Sequence, residues 1–374
     1  MRIALLSKLV DENTFDSLLQ SNAVPNPSNQ NFYLRLANSL ARIGKIFVFS
    51  TGNPDVKTNT RIPLNSGFEY IYQPLKHGML GKLRNSKSVA KEVLKEHQAQ
   101  HFDVLFYDAL NVTLASAAKI IARKGRVKTI AVCTDDPRNI TGAPWYYPGL
   151  VYSRSKHASG YFALTNELNT LYNKGGKPSL VQMGIVDPFV SRSSPNARPY
   201  IYYGGALFEK DGTLDLLESF LHLHPDYDLI ISGHGQLKKQ MSEIHVKNLQ
   251  FLAQISKEQH LAYIQHADIV VNPRRYNEGL DKVSVPSKVL EYLSNAKCIV
   301  SSLSTPIRET FPDDINWLDP MTHGKEAYLT FMESHIKDGR FVGLKENQAK
   351  EKIQSLLGEE ATAKAISDFL KMVL

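Results

Sequence analysis

The sequence predicts an α/β protein made of two doubly wound halves. Short apolar, β-branched runs alternate with segments that carry apolar residues at helical spacing, which is typical of a parallel sheet with helices on both faces. The alternation stops at a polar, proline-containing stretch, residues 190–199, and then restarts. A chain of 374 residues is long enough for two domains. We therefore expect one domain over residues 1–190, a second over 200–345, and helices over 346–374 that pack back on the first.

The predicted elements follow from the positions of the apolar residues. Amphipathic segments such as FYLRLANSLARI and VTLASAAKIIARK lie between strand-like runs. The strands predicted before the break are RIALLS, KIFVFS, FEYIYQ, FDVLFYD, VKTIAVCT, GYFALT and SLVQM. Those predicted after it are YIYYGGA, YDLIISG, LQFLAQI, DIVVNPR and KCIVSS. Ligands of such sheets bind beyond the carboxyl ends of the strands, so a site is expected in the loops that follow them.

Composition and charge exclude several classes of protein. The sequence holds no apolar run of the roughly 18 residues that a membrane span needs and no signal peptide, so a cytoplasmic protein is expected. Cys133 and Cys298 lie in strand-like runs and predict buried thiols; neither a metal nor a cofactor is expected. The net charge of +7 favours phosphates, nucleotides or anionic lipids as partners, whereas no motif indicates nucleic acid. The sequence gives no indication of the oligomeric state.

The stretch SVPSKVLEYLSNAKCIVSS, residues 284–302, predicts a helix followed by a strand. Pro286 suits the first helical position, where its missing N–H costs nothing. The N–H groups of Ser287 and Lys288 then point out of a helix end whose partial positive charge suits phosphate. Glu291 shares a face with Ser287, so a nucleoside diphosphate at this end would place its ribose near the Glu291 carboxylate. The alternative is a solvated glutamate beside Lys288.

Four further residues of the second half follow predicted strands. Gly204 and Gly205 allow a phosphate to approach the backbone closely, or form a plain tight turn. Arg274 and Arg275 would neutralise a diphosphate or grip an anionic acceptor, or they form a surface charge pair.

In the first half, polar and aromatic residues suggest contacts with a sugar. Asp135 and Asp136 follow a strand and would hold sugar hydroxyls or cap the next segment. The amides of Asn29 and Gln30 suit carbohydrate hydroxyls, although they suit any loop. Trp145 offers a stacking face, or packs against other aromatic side chains.

Residues 76–95 combine positive charges with aliphatic side chains. The residues concerned are Lys76, Lys82, Arg84, Lys87, Lys91 and Lys95, with Leu80, Leu83, Val89 and Val93 between them. This pattern fits a basic amphipathic segment on a membrane surface, and a solvated helix face fits it equally well.

Five segments, taken in order, resemble the retaining GT-B glycosyltransferases of family 4, the group 1 glycosyltransferases. They are VQMGIVDPFV, YYGGALFEKDG, LIISGHG, FLAQISKEQHLAYIQHADIVVNP and PSKVLEYLSNAKCIVSS. The resemblance covers most of the chain and is clearest from Leu180 to Ser302. It implies the GT-B fold, in which two Rossmann-like domains face each other across a cleft. The first would bind the acceptor and the second the nucleotide-sugar donor.

The resemblance also implies roles for individual residues. Lys210 would contact the diphosphate, and Glu291 would accept hydrogen bonds from both ribose hydroxyls. Backbone groups of Gln254 and Ile255 would hold the base. Asp136 falls where the family often carries His-Asp, so Lys210, Glu291 and Asp136 are the predicted catalytic residues.

Two departures from the family pattern concern the sugar site. Ala206 stands where the family has an arginine. Val283 stands where the first of two paired glutamates is expected, and Glu278 could replace that glutamate only if residues are inserted between it and Glu291.

The function implied by the resemblance is retaining hexosyl transfer. The donor is a nucleotide sugar, with UDP chosen on its frequency in the family, and the acceptor is a glycan or a lipid-linked molecule. We expect a role in bacterial surface polysaccharide or glycoconjugate synthesis, at the inner face of the membrane. One alternative is a non-catalytic GT-B partner subunit, which loss of Lys210 or Glu291 would indicate, yet both are present. The other is a sugar-nucleotide 2-epimerase, for which the sequence shows no converging acid–base groups.

Overall fold

The computed structural model describes residues 1–20, 27–63, 68–76, 79–140, 142–196, 198–223, 226–275, 277–322 and 324–374. The chain divides into two compact units. Unit 1 consists of Met1–Ile185 and Leu357–Leu374, and unit 2 of Val186–Leu356. The chain therefore enters unit 2 a few residues before the polar stretch 190–199 and leaves it again at Leu356.

Unit 1 is built on an eight-stranded sheet. Its strands are β1 (Arg2–Ser7), β2 (Lys45–Ser50), β3 (Thr60–Pro63), β4 (Phe68–Tyr72), β5 (Val104–Asp108), β6 (Lys128–Cys133), β7 (Gly160–Ala163) and β8 (Ser179–Val181). The order across the sheet is β3-β4-β2-β1-β5-β6-β7-β8, and every pair is parallel except β3 with β4. Its helices are α1 (Glu12–Gln20), α2 (Pro27–Ala41), α3 (Met79–Gln100), α4 (Val112–Gly125), α5 (Tyr147–Ser155) and α6 (Asn166–Tyr172).

The unit 1 helices lie where the apolar spacing predicts them. On α2 the buried residues include Tyr33, Leu36 and Leu40, three to four positions apart, so one face of the helix packs on the sheet. At the start of α4 the side chain of Asn111 accepts hydrogen bonds from two N–H groups of the first turn, which is how an N-cap residue begins a helix.

Two aliphatic residues of α3, Val89 and Val93, lie in the core. Val89 and Val93 are 1% and 0% exposed, and α3 packs against α4. These two valines therefore belong to the core and do not form an exposed apolar face, whereas membrane contact of the basic residues stays a prediction. Lys87, Lys91 and Lys95 are exposed, whereas the side chains at 80, 82 and 83 lie outside the described residues.

Unit 2 is built on a six-stranded parallel sheet and a small hairpin. The strands are β9 (Tyr200–Ala206), β10 (Asp228–His234), β11 (Leu249–Phe251), β12 (Ile269–Asn272), β13 (Ile299–Ser301), β14 (Asn316–Trp317), β15 (Ile336–Lys337) and β16 (Arg340–Phe341). The sheet order is β11-β10-β9-β12-β13-β14, and β15 pairs with β16. The helices are α7 (Thr213–Leu223), α8 (Lys238–Ser242), α9 (Lys257–His266), α10 (Glu278–Asp281), α11 (Ser287–Asn295), α12 (Thr305–Thr310), α13 (Lys325–His335) and α14 (Lys350–Leu357).

Helix α15 (Glu359–Val373) returns to unit 1. It packs on α2 and β8, where Asn38 donates a 2.7 Å hydrogen bond to Glu359 and Gln182 donates one of 2.7 Å to Thr362. Its buried face includes Ile366 and Phe369.

Both sheets are doubly wound, which confirms the predicted fold class. All the strands predicted from the sequence are present, although β11 stops at Phe251 rather than continuing through LQFLAQI. Cys133 and Cys298 are buried free thiols, as predicted. In the described ranges, no helix is both long enough and apolar enough for a membrane span.

Candidate functional site

The candidate site lies at the carboxyl edge of the unit 2 sheet. The parallel strands β9, β10, β12 and β13 all end there, with Gly205 opposite Gly233 at the ends of β9 and β10. Helix α11 precedes β13 and runs back along the sheet, so its N-terminus lies at the same edge. The residues that the sequence predicts to bind a donor lie at the end of β9, in the loops after the strands and in the first turns of α11.

Lys288 lies across the end of β9. Its Nζ donates a 2.8 Å hydrogen bond to the hydroxyl of Tyr203 and lies 4.4 Å from the centre of that ring. A Cβ atom on Gly205 would collide with the Lys288 side chain, so only a glycine at this position leaves space for that side chain. Burial lowers the pKa of Lys288 to about 8, against the opposing attraction of Asp211. An anion placed beside this buried ammonium would stabilise its charged form.

Helix α11 begins one residue later than the sequence predicts. Pro286 is the cap residue, with ψ at 110°, and Ser287 is the first helical residue. The prediction that Pro286 takes the first helical position is therefore wrong, because its extended ψ keeps it outside the helix. The N–H groups of Ser287 and Lys288 still belong to the first turn, where the helix itself supplies no acceptor.

Glu291 lies one turn into α11 and faces a histidine that the sequence did not single out. Its Oε2 is 3.6 Å from Nε2 of His260, and the two side chains are 15% and 20% exposed. Nδ1 of His260 is 2.7 Å from the hydroxyl of Tyr202, which is 2.6 Å from Oγ of Ser232. The alternative of a solvated glutamate beside Lys288 does not describe this environment.

The two arginines after β12 have different surroundings. Arg275 donates paired hydrogen bonds of 2.8 and 3.0 Å to the carboxylate of Asp215, so it forms the charge pair that was the alternative interpretation. Arg274 is half-buried, and its guanidinium lies 3.3 Å from Oγ of Ser284. Of the two, Arg274 is the candidate for contact with a donor.

Lys210 is exposed and lies in a short 3-10 helix, Glu209–Asp211, that follows β9. Its carbonyl accepts a hydrogen bond of 3.4 Å from the N–H of Arg275, which links the loops after β9 and β12. Glu278 begins α10, but its side chain lies outside the described residues. Whether Glu278 replaces the missing first glutamate stays a prediction.

The loop between β11 and α9 carries Gln254 and Ile255. The preceding residue, Ala253, has φ at 50°, and its carbonyl accepts a 2.6 Å hydrogen bond from the N–H of Gly233. The following residue, Ser256, caps α9 through a capping box with Gln259. The loop is thereby fixed at both ends beside the carboxyl end of β10, where the base is predicted to bind.

In unit 1, the predicted acceptor residue Gln30 and the predicted catalytic residue Asp136 have structural partners. The Gln30 amide is buried and exchanges hydrogen bonds of 3.1 and 2.7 Å with the backbone N–H and carbonyl of Val10. Asp136 caps the 3-10 helix Pro137–Asn139 and forms an ion pair with Arg138. Of the two roles predicted for Asp136, the structure therefore contains the capping of the next segment. Burial raises the pKa of Asp136, but hydrogen bonds from Arg138 and Tyr152 outweigh it and hold the pKa below its usual value.

The other acceptor candidates are more accessible. Trp145 is 92% exposed, with Tyr146 edge-on to it at 5.8 Å. Asn29 is half-buried on the first turns of α2, and the carboxylate of Asp135 accepts a 2.8 Å hydrogen bond from the N–H of Asp136.

Asp108 is a further polar residue at the carboxyl edge of the unit 1 sheet. It ends β5, the neighbour of β6, after which Asp135 and Asp136 follow. Burial raises its pKa to about 6, against the opposing hydrogen bond from the N–H of Leu110. The sequence indicates Asp108 only as a single aspartate at the end of the strand-like run FDVLFYD. In the described ranges, no group of three or more His, Cys, Asp or Glu side chains is arranged to hold a metal ion.

Residues 189–327 match the family model for glycosyl transferases group 1. No curated protein sequence matches the chain. The matched residues lie within unit 2 and include the whole candidate donor site.

Solved structures resemble the chain over its full length. Sucrose-phosphate synthase from Thermosynechococcus elongatus superposes with a TM-score of 0.65 at 12% identity, covering 100% of this chain and 99% of that one. HepE (Alr3699) from Anabaena, in complex with UDP, gives 0.64 at 12% identity, covering 99% and 100%. Trehalose 6-phosphate synthase from Burkholderia multivorans gives 0.66 at 9% identity, covering 100% and 98%. The chain therefore has the GT-B fold, and the match of its residues 189–327 to the group 1 glycosyl transferases supports a transferase.

Proposed function

We propose that the protein is a retaining glycosyltransferase whose nucleoside-diphosphate sugar donor binds at the carboxyl edge of the unit 2 sheet. The observation that carries the proposal is the arrangement of Lys288 and Glu291 on consecutive turns of α11. The first offers an ammonium beside the glycines of β9, and the second a carboxylate one turn further along. A nucleoside diphosphate would place its negatively charged phosphates beside Lys288 and its ribose hydroxyls beside Glu291.

UDP is the proposed nucleotide. One similar structure, HepE, has been solved with UDP and with UDP-glucose, although at 12% identity this likeness supports the fold more than the ligand. Backbone groups of Gln254 and Ile255 would hold the base.

The proposed chemistry needs stabilisation of a leaving group. The bond between the sugar C1 and the diphosphate oxygen breaks, and a bond from an acceptor oxygen to C1 forms on the same face. The acceptor proton passes to the departing diphosphate. Lys288, Lys210 and the first-turn N–H groups of α11 would stabilise the charge that develops on the diphosphate.

A binding screen followed by a turnover assay tests this function. UDP-, GDP-, ADP-, CMP- and dTDP-sugars are added singly; at 100 times its dissociation constant, a ligand raises the free energy of unfolding by about 2.7 kcal/mol. The sugar nucleotide that stabilises the protein is then assayed for slow hydrolysis without an acceptor. Stabilisation by one of the four nucleoside-diphosphate sugars, together with hydrolysis, supports the proposal. Stabilisation by none of the five, or by the CMP-sugar alone, which has no diphosphate, rejects it. Binding without hydrolysis indicates the partner subunit, and an isomerised sugar nucleotide indicates the epimerase.

For the acceptor we propose a glycan or a lipid-linked molecule in surface polysaccharide or glycoconjugate synthesis. The support is the exposed face of Trp145, which suits stacking on a sugar ring. Peripheral contact with the inner face of a membrane would rest on the exposed basic residues of this segment, since Val89 and Val93 are buried; they are Lys76, Arg84, Lys87, Lys91 and Lys95. Liposome flotation tests this contact: recovery that is equal with neutral and with anionic lipid would reject it.

A further inference from the structure

We propose that His260 is a positioning residue for Glu291 and that it sets a preference for ribose over deoxyribose in the bound nucleotide. This inference rests on the proposed function, because it assigns a task to a neighbour of the proposed ribose ligand. It concerns a chain of four side chains from four elements: Ser232 on β10, Tyr202 on β9, His260 on α9 and Glu291 on α11.

The order of hydrogen bonds along this chain follows from the charge at its end. Nε2 of His260 faces the Glu291 carboxylate at 3.6 Å, so its lone pair would be repelled and its proton is favoured there. Nδ1 of the neutral ring then accepts from the Tyr202 hydroxyl at 2.7 Å, and that hydroxyl accepts from Ser232 at 2.6 Å. Each proton points toward the carboxylate.

The chain is held rigidly at its buried end. Tyr202 is 0% exposed and Ser232 is 2% exposed, and the Tyr263 ring stacks on Tyr202 with centres 5.3 Å apart. Because Tyr263 and His260 both belong to α9, the ring that orients the imidazole is fixed by the same helix. At 3.6 Å the imidazole is farther from the carboxylate than in an ordinary hydrogen bond. It therefore attracts the Glu291 carboxylate and favours one orientation, but leaves it free to adjust to a bound ribose.

Gly204 gives this arrangement its space. A Cβ atom there would lie 2.6 Å from Nδ1 of His260 and 2.6 Å from the hydroxyl of Tyr202. Unlike Gly205, Gly204 does not have a positive φ, so its backbone would accept an alanine. The glycine is needed for the His260–Tyr202 pair rather than for the backbone, and Gly204→Ala should push the imidazole aside.

The experiment compares UDP with 2′-deoxy-UDP by calorimetry. A side chain that only supports the fold would change both affinities equally, whereas one that orients Glu291 changes mainly the affinity for the ribose form. We expect His260→Ala to reduce the ratio of the two affinities by about three- to tenfold, which is within the range of an ordinary neutral hydrogen bond. His260→Gln, which keeps a donor near the Nε2 position, should restore most of the ratio. Tyr202→Phe and Gly204→Ala should each lower it.

Two control variants distinguish a role of His260 in orienting Glu291 from a general effect on the fold. His245, exposed between α8 and β11, provides a matched histidine, and His245→Ala should leave the ratio unchanged. In Glu291→Ala the preference should be lost, and adding His260→Ala should lower it no further, since the two residues act in series.

Two results would overturn the inference in different ways. If UDP binds the wild type with a preference that Glu291→Ala removes but His260→Ala leaves intact, His260 has no positioning role while the proposed function stands. If none of UDP, GDP, ADP and dTDP binds the wild type, the proposed function fails and this inference fails with it.

Discussion

Replacing Lys288 by methionine should stabilise unit 2 while it weakens nucleotide binding. Burial lowers the pKa of this lysine from its usual 10.5 to about 8. Since one pKa unit corresponds to about 1.4 kcal/mol, holding the charged ammonium costs up to about 3 kcal/mol at neutral pH. Methionine fills a similar path past Gly205 without a charge, and the Tyr203 hydroxyl keeps its 2.6 Å hydrogen bond to the carbonyl of Ala206.

The difference in free energy of unfolding between the wild type and Lys288→Met should change with pH in one direction. The folded-state pKa lies below the unfolded one, so below pH 8 both states carry the proton and the wild type bears the full cost. Between pH 8 and 10.5 the folded lysine loses its proton first, and the wild type gains stability relative to Lys288→Met. Above about pH 10.5 the lysine is neutral in both states, and the cost of the buried charge disappears.

Urea denaturation followed by tryptophan fluorescence measures this difference. The sequence has 2 tryptophans. Trp317 in unit 2 has a buried indole nitrogen, whereas Trp145 in unit 1 is 92% exposed, so the change in emission reports mainly on unit 2. Lys210→Met is the matched control, since Lys210 is exposed and its loss should leave stability unchanged. A Lys288→Met variant that is less stable than wild type at pH 7, or a difference that is independent of pH, would refute the reasoning.

Three further outcomes are expected. Lys210→Ala should lower kcat with little change in Tm, because leaving-group charge grows in the transition state; an unchanged kcat would show that the diphosphate is stabilised elsewhere. Gly205→Ala should weaken UDP binding in calorimetry, because the added methyl group collides with Lys288; unaltered binding would place the diphosphate away from this lysine. Trp145→Ala should raise KM for a glycan acceptor by about fivefold to tenfold, the range of an aromatic contact, and leave KM for the donor alone.

Sequence reasoning predicts most of the fold because the strands of a doubly wound sheet are buried runs. Residues such as Ile3 to Leu6 are apolar on both faces and read as continuous hydrophobic stretches. The elements it missed are short or lie at edges: β3 is an antiparallel edge strand, and β14, β15 and β16 have two residues each. Two-residue strands are defined by their neighbours and leave no periodicity in the sequence.

The site was predictable where it follows from local geometry. The sequence predicts Gly205, Lys288 and Glu291 as site residues because a glycine pair, a helix start and helical spacing are all local, and their roles stay predictions. His260 was missed because its meaning depends on Tyr202, 58 residues earlier, and on Glu291 on another helix. The valines of α3 were open to two interpretations for a similar reason, since spacing shows an apolar face but not what covers it.

The return of α15 to unit 1 bears on how the chain folds as it is synthesised. Ile366 and Phe369 complete the packing around α2 and β8, yet they leave the ribosome only after the whole of unit 2. Domains generally fold in the order in which they emerge, but here the first unit has to wait, with part of its apolar surface uncovered, until the second has been made. A chaperone that binds nascent chains would therefore meet unit 1 rather than unit 2 as the long-lived incomplete form, and deletion of residues 357–374 should send unit 1, not unit 2, into aggregation.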